Sequence, residues 1–117
     1  EVSKVDIIEV IAKALESISL RGITVVQGWY DKDINDTHIT FCLLNDNSNN
    51  ISDDEEEEVS YIVQVDIWSK DEWKLKKEVK KLMLKNDFGY DGGQDFFETD
   101  TKIHHKALRF KFVEEGI

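Results

Sequence analysis

Val59-Ser60-Tyr61-Ile62-Val63-Gln64-Val65-Asp66-Ile67-Trp68 is the stretch on which the reading of this chain turns. Tyr61, Val63, Val65 and Ile67 alternate with Ser60, Ile62, Gln64, Asp66 and Trp68. A period of two sends these sets to opposite faces of one strand. The first set is apolar and belongs against a core, while the second carries an amide, a carboxylate and an indole. Ser69-Lys70-Asp71-Glu72 follows at once in the form of a capping box, in which Ser and Glu satisfy each other's backbone N–H groups. A helix is expected from there to about Lys85, burying Leu75, Val79, Leu82 and Met83. It also holds seven lysines, at 70, 74, 76, 77, 80, 81 and 85. Lysines at this density usually form a solvated face.

Upstream, Ser3 to Ile18 reads as a helix that Ser3 caps together with Asp6. Val5, Ile8, Ile11, Ala12, Leu15 and Ile18 form its apolar stripe. Arg21-Gly22 ends it, and Ile23 to Tyr30 is a strand. Asp31 to Asp36 has turn chemistry, and Thr37 to Leu44 is a second strand with Ile39, Phe41 and Leu43 on one face. Downstream, Asp91-Gly92-Gly93 predicts a small turn between Phe88-Gly89-Tyr90 and Asp95-Phe96-Phe97. A last strand runs from about Lys102 to Val113, with Leu108, Phe110 and Phe112 inward and Arg109 and Lys111 outward. The expected fold is α+β in the order α-β-β-β-α-β. Its four-stranded sheet is mostly antiparallel or mixed, with two helices packed on one face. At 117 residues the chain makes one domain, residues 1–117.

The formal net charge is −10. Seven of the acids fall between Asp46 and Glu58 with no base among them, and without those seven the balance is about −3. Asn45 to Glu58 has no apolar period, so a mobile acidic loop is expected at about 45–58. A loop of that length tends to be a contact surface or a solvated, disordered link. Charge of this sign argues against attraction to nucleic acid or an anionic membrane. Apolar runs are too short to span a bilayer, and the opening residues lack a signal-peptide h-region.

Reactive chemistry is sparse. Cys42 is the single cysteine and lies in an apolar strand, which favours an inert thiol in a reducing compartment. His104-His105 are adjacent, so a strand points them to opposite faces and one metal cannot readily take both. Asp66, Glu72 and Glu78 lie near a strand-to-helix junction, where a nuclease places metal-binding acids. Glu72, however, suits the capping box and Glu78 the lysine-rich helix. The glycines at 89, 92 and 93 lack the spacing of a phosphate loop. No catalytic residue, metal site or cofactor is therefore assigned, and the expected work is binding to other proteins.

Val63-Gln64-Val65-Asp66-Ile67-Trp68-Ser69-Lys70, followed by the Lys-rich helix, resembles the tail-completion family of long-tailed bacteriophages. These are also called tail terminators or head–tail joining proteins. The resemblance extends to Gln27-Gly28-Trp29-Tyr30, His38-Ile39-Thr40-Phe41 and Asp100-Thr101-Lys102-Ile103-His104-His105-Lys106. It implies a non-enzymatic protein of the virion tail or neck, assembled in the cytoplasm of the bacterial host. Such a protein forms a ring, commonly a hexamer, that caps the tail tube. Its partners would be further copies of itself, the major tail tube protein and the head connector protein.

Gln64, Asp66 and Trp68 on the uncovered sheet face, together with Trp29, are the candidate subunit or partner interface. Trp is enriched among interface anchors. The competing placement puts Trp68 under the incoming helix as local core, and Trp29 and Trp73 share that ambiguity. A second class of function is a small acidic DNA mimic that inhibits a host enzyme. A mimic needs its charge spread over a fixed surface, whereas here the acid is concentrated in one loop.

Overall fold

A computed structural model describes residues 6–29, 36–50, 57–69, 74–98 and 103–115. The elements in order are α1 (Ile7–Ala14), α2 (Glu16–Ser19), β1 (Thr24–Gln27), β2 (His38–Asn50), β3 (Glu57–Ser69), α3 (Lys74–Lys85), β4 (Gly89–Glu98) and β5 (Ile103–Glu115). The strands form one mixed sheet in the order β1-β2-β3-β5-β4. β1 pairs parallel with β2, and the other three pairings are antiparallel. The fold is α+β, with the strand that opened the sequence reading at its centre.

Alternation along β3 runs in the expected phase. Tyr61, Val63, Val65 and Ile67 are buried together with Ile39, Leu108 and Phe110 beneath α1, α2 and α3. Ile11, Leu15, Ile18, Val79 and Met83 come down on them from the helices and have no exposed surface. Each such side chain contributes about 1.5–3 kcal/mol by leaving water. Beyond the first helix, Ile18 is held by α2, a single turn that restarts after Leu15.

Three local expectations need correction, and a fourth falls outside the described residues. The observed cap of α1 is Asp6, whose carboxylate accepts from the Ile8 and Glu9 amides; Ser3 lies outside the described residues. The buried stripe accordingly reads Ile7, Ile11, Ala14, Leu15, Ile18, and Ala12 is exposed. In the second case, the stretch assigned to a loop at 45–58 begins and ends as strand. Asn45 to Asn50 pair with Ile62 to Glu57 after a bulge at Leu44. Backbone pairing to β3 outweighs the poor strand propensity of Asn and Asp, because β-propensity largely reflects the neighbours on offer. Residues 51–56 lie outside the described residues.

Third, Asp91-Gly92-Gly93 is a bulge inside one continuous strand and not a hairpin turn, so the sheet has five strands instead of four. Gly92 takes a φ of 99°, which accommodates the extra residue without turning the chain back. Gly93 lies so close to β5 that a Cβ there would sit 2.6 Å from the Ala107 carbonyl oxygen. Finally, the described part of the second helix starts at Lys74. The capping-box residues 70–72 and Trp73 lie outside the described residues, as do the turn residues 31–35. At its other end the helix closes through Asp87 at a φ of 73°. The Phe88 amide donates back to the Met83 carbonyl, which delivers Phe88 into the core.

Candidate functional site

The sheet face away from the helices carries a cluster of polar and aromatic side chains. Register places three rows side by side on it: His38, Thr40 and Cys42 from β2; Trp68, Asp66 and Gln64 from β3; His105, Ala107 and Arg109 from β5. Gln94 and Phe96 of β4 continue this face to the edge of the sheet, opposite Ala107 and His105.

These side chains form a connected network. His105 Nε2 donates to Asp66 Oδ1 at 2.6 Å. Gln64 Nε2 donates to both Asp66 oxygens at 2.9 and 3.2 Å, and Arg109 Nε donates to Gln64 Oε1 at 3.2 Å. Asp66 has no exposed surface, so a carboxylate there is tolerable only with such partners. Trp68 Nε1 donates to the Thr40 hydroxyl at 3.0 Å. The indole stacks on His105, with ring centroids 3.7 Å apart, and faces His38 on its other side at 6.2 Å. Phe96 lies against the outer side of His105 at 5.3 Å.

Above this network lies an open groove of about 800 Å³. Trp29 borders it from the segment after β1, and Gln94 and Phe96 border it from β4 at the other edge of the sheet. Gln64, His105 and Arg109 line it as well. Two large rings at its rim are open to solvent, Trp29 at 57% and Phe96 at 46%.

Of the four residues singled out from sequence, Gln64, Asp66 and Trp68 share one row, and Trp29 and Gln64 share the groove. Their exposure differs from the expectation. Asp66 and Trp68 occupy the face left open by the helices, yet both are buried, because β2 and β5 close over them from either side. Trp68 is also not under the incoming helix, since it lies on the opposite face. Trp29 is the one of the four that stands in solvent. His105, Arg109 and Phe96 were not singled out. Alternation along β5 already puts His105, Ala107 and Arg109 on one face, but only the register shows which residues of β3 they meet.

The acids weighed as a nuclease centre do not converge. Asp66 lies on the groove face, Glu78 pairs with Arg21 among the helices, and Glu72 is outside the described residues. Among the described residues no three His, Cys, Asp or Glu side chains group as a metal ion would need. Burial, with the Asp66 charge adding to it, pushes the Cys42 thiol above its usual range, and Arg109 opposes them. That direction keeps the thiol protonated and weakly nucleophilic. No helix among the described residues is long and apolar enough to cross a membrane.

No family model matches this chain, and no curated protein does. Solved structures do. The chain shares its fold with a protein of a gene transfer agent virion. The two superpose with a TM-score of 0.61 over 91% of this chain and 92% of the other, at 11% identity. Coverage so nearly complete on both sides means that the whole domain is matched, sheet and helices together. A second similar structure is the gp17 protein of bacteriophage SPP1, at 12% identity over 91% of this chain and 86% of that one, with a TM-score of 0.49.

Proposed function

We propose that this chain is a non-enzymatic structural protein of a phage or phage-like particle. In this reading it caps the tail tube as a ring and joins it to the head connector. The observation that supports it is the match of the entire fold to a component of a gene transfer agent virion, with little sequence outside the matched domain on either side. The strand and helix motifs that resemble the tail-completion family point the same way.

The groove face suits contact with a protein partner, whether the tail tube or a further copy of the chain. A rigid, hydrogen-bonded floor of Asp66, Gln64, His105 and Arg109 fixes the presentation of Trp29 and Phe96 at the rim. Exposed aromatic rings on a preorganised support are the usual anchors of protein contacts. Closed rings need a heterologous contact, in which this face meets a different surface of the next copy.

Disrupting the gene in its phage or prophage tests the reading. The expected result is full heads beside separate tails, some of them overgrown, with joining restored by the wild-type chain supplied in trans. Normal joined particles in the disrupted strain would refute it.

A further inference from the structure

The groove holds a cation set up to receive an anion. Arg109 is exposed, yet its Nε donates to Gln64 Oε1 at 3.2 Å, and Gln64 is itself held by the buried Asp66. That chain restrains the plane of the guanidinium and leaves the N–H groups on its two Nη atoms for a ligand. None of the ion pairs among the described residues includes Arg109, although Asp91 stands in the β4 bulge opposite it. Trp29 and Phe96 are open to solvent at the rim of the same groove. A surface that fits would offer a carboxylate beside one protruding apolar side chain.

The corner that closes α2 offers that pair. Leu20 is 80% exposed there, more than any other large apolar side chain among the described residues. Its amide donates to the Glu16 carbonyl at 2.9 Å, so the two residues stand one helical turn apart and share a face. Glu16 is exposed as well. Arg21, the next residue along, is taken up by Glu78, which ties the corner to α3. Leu84 is the other exposed large apolar side chain on the described helices, but Lys81 and Lys85 flank it, and Arg109 would repel them.

We propose that the Glu16–Leu20 corner of one copy seats in the groove of a neighbouring copy, with Leu20 against the rim rings and the Glu16 carboxylate on Arg109. This rests on the ring reading, and it names both sides of the heterologous contact that a ring requires. The corner belongs to the helix layer and the groove to the opposite face of the sheet, so each copy can give its corner to one neighbour and its groove to another. The apolar contact supplies the anchor, while the charge pair sets orientation and rejects the lysine-flanked Leu84.

Photocross-linking tests it. Leu20→benzoylphenylalanine keeps a large apolar group at the corner, and a mixture of isotopically light and heavy protein is irradiated both concentrated in solution and bound to purified tail tubes. The expected result is mixed light–heavy links from position 20 to the groove-lining stretch 91–96. Glu16→Arg, which leaves the groove untouched, should lower them about tenfold, as replacing an attraction by a repulsion at a partly screened site implies. Arg109→Glu should do the same at an unchanged melting temperature, and combining both changes in one chain should restore the links. Links from position 20 to the tube protein or to another surface, no mixed links in either sample, or no restoration in the double variant would overturn the proposal. Tubes that carry rings without these links would overturn it too, and would leave the proposed function standing. Mixed links in solution with tubes left bare would support this contact and refute the proposed function.

Discussion

Trp68→Ala probes how the groove floor is built. Trp68 is 4% exposed, stacked between His105 and His38, and donates its indole N–H to a Thr40 hydroxyl that has no exposed surface of its own. Truncating a buried Trp typically costs about 3–5 kcal/mol through lost transfer energy and the cavity left behind. Stranding the Thr40 hydroxyl adds about 1 kcal/mol. A loss of roughly 4–6 kcal/mol would lower the melting temperature of a domain this size by at least about 15 °C. Urea unfolding followed by circular dichroism measures the loss directly. Trp68→Phe keeps a ring against His105 and gives up the hydrogen bond, so it should fall by only about 1–2 kcal/mol. If Trp68→Ala unfolds within about 1 kcal/mol of wild type, the cost is that of a surface change. Trp68 would then be an exposed anchor, and the described packing of the floor would be wrong.

Two further substitutions test the frame around the groove. Gly93→Ala places a Cβ 2.6 Å from the Ala107 carbonyl oxygen and 2.7 Å from the Tyr90 hydroxyl, so β4 must move off β5. The expected loss is about 1–3 kcal/mol by urea titration, and a neutral result would show that β4 does not lie so close. Cys42 should react with iodoacetamide at pH 8 well below the rate of a small free thiol, because burial and Asp66 raise its pKa. A raised folded-state pKa also fixes the sign of its linkage. Its contribution to stability is complete below the unfolded thiol's pKa, about 8.5, and declines as pH rises through the folded value. Cys42→Ala should therefore flatten the alkaline limb of the stability profile. Alkylation as fast as that of a free thiol would contradict the placement.

Much of this arrangement is legible in the sequence, because β3 is buried on one face and alternates without interruption. The stripe Leu75, Val79, Met83 and the inward set Leu108, Phe110 were equally plain. Two things were not. Asn45 to Asn50 are strand only because Glu57 to Ile62 offer them a partner, and pairing of that kind leaves no trace in local composition. The burial of Asp66 likewise depends on Gln64 and His105 bonding to it, with Arg109 holding Gln64 in turn, and the two on β5 lie some forty residues away. A strand pattern says which face a side chain takes. It does not say whether the neighbouring strands leave that side chain in water, and here they cover Trp68 and leave Trp29 bare.

The claim that this chain caps a tail tube is tested most directly by adding purified protein to purified tail tubes and imaging them in negative stain. Wild type should appear as a ring at one end of each tube. Trp29→Ala, which removes an indole that is 57% exposed, should keep the wild-type melting temperature and lose about 2 kcal/mol or more of tube binding, roughly thirtyfold in affinity. Tubes with bare ends at saturating wild-type protein would contradict the account.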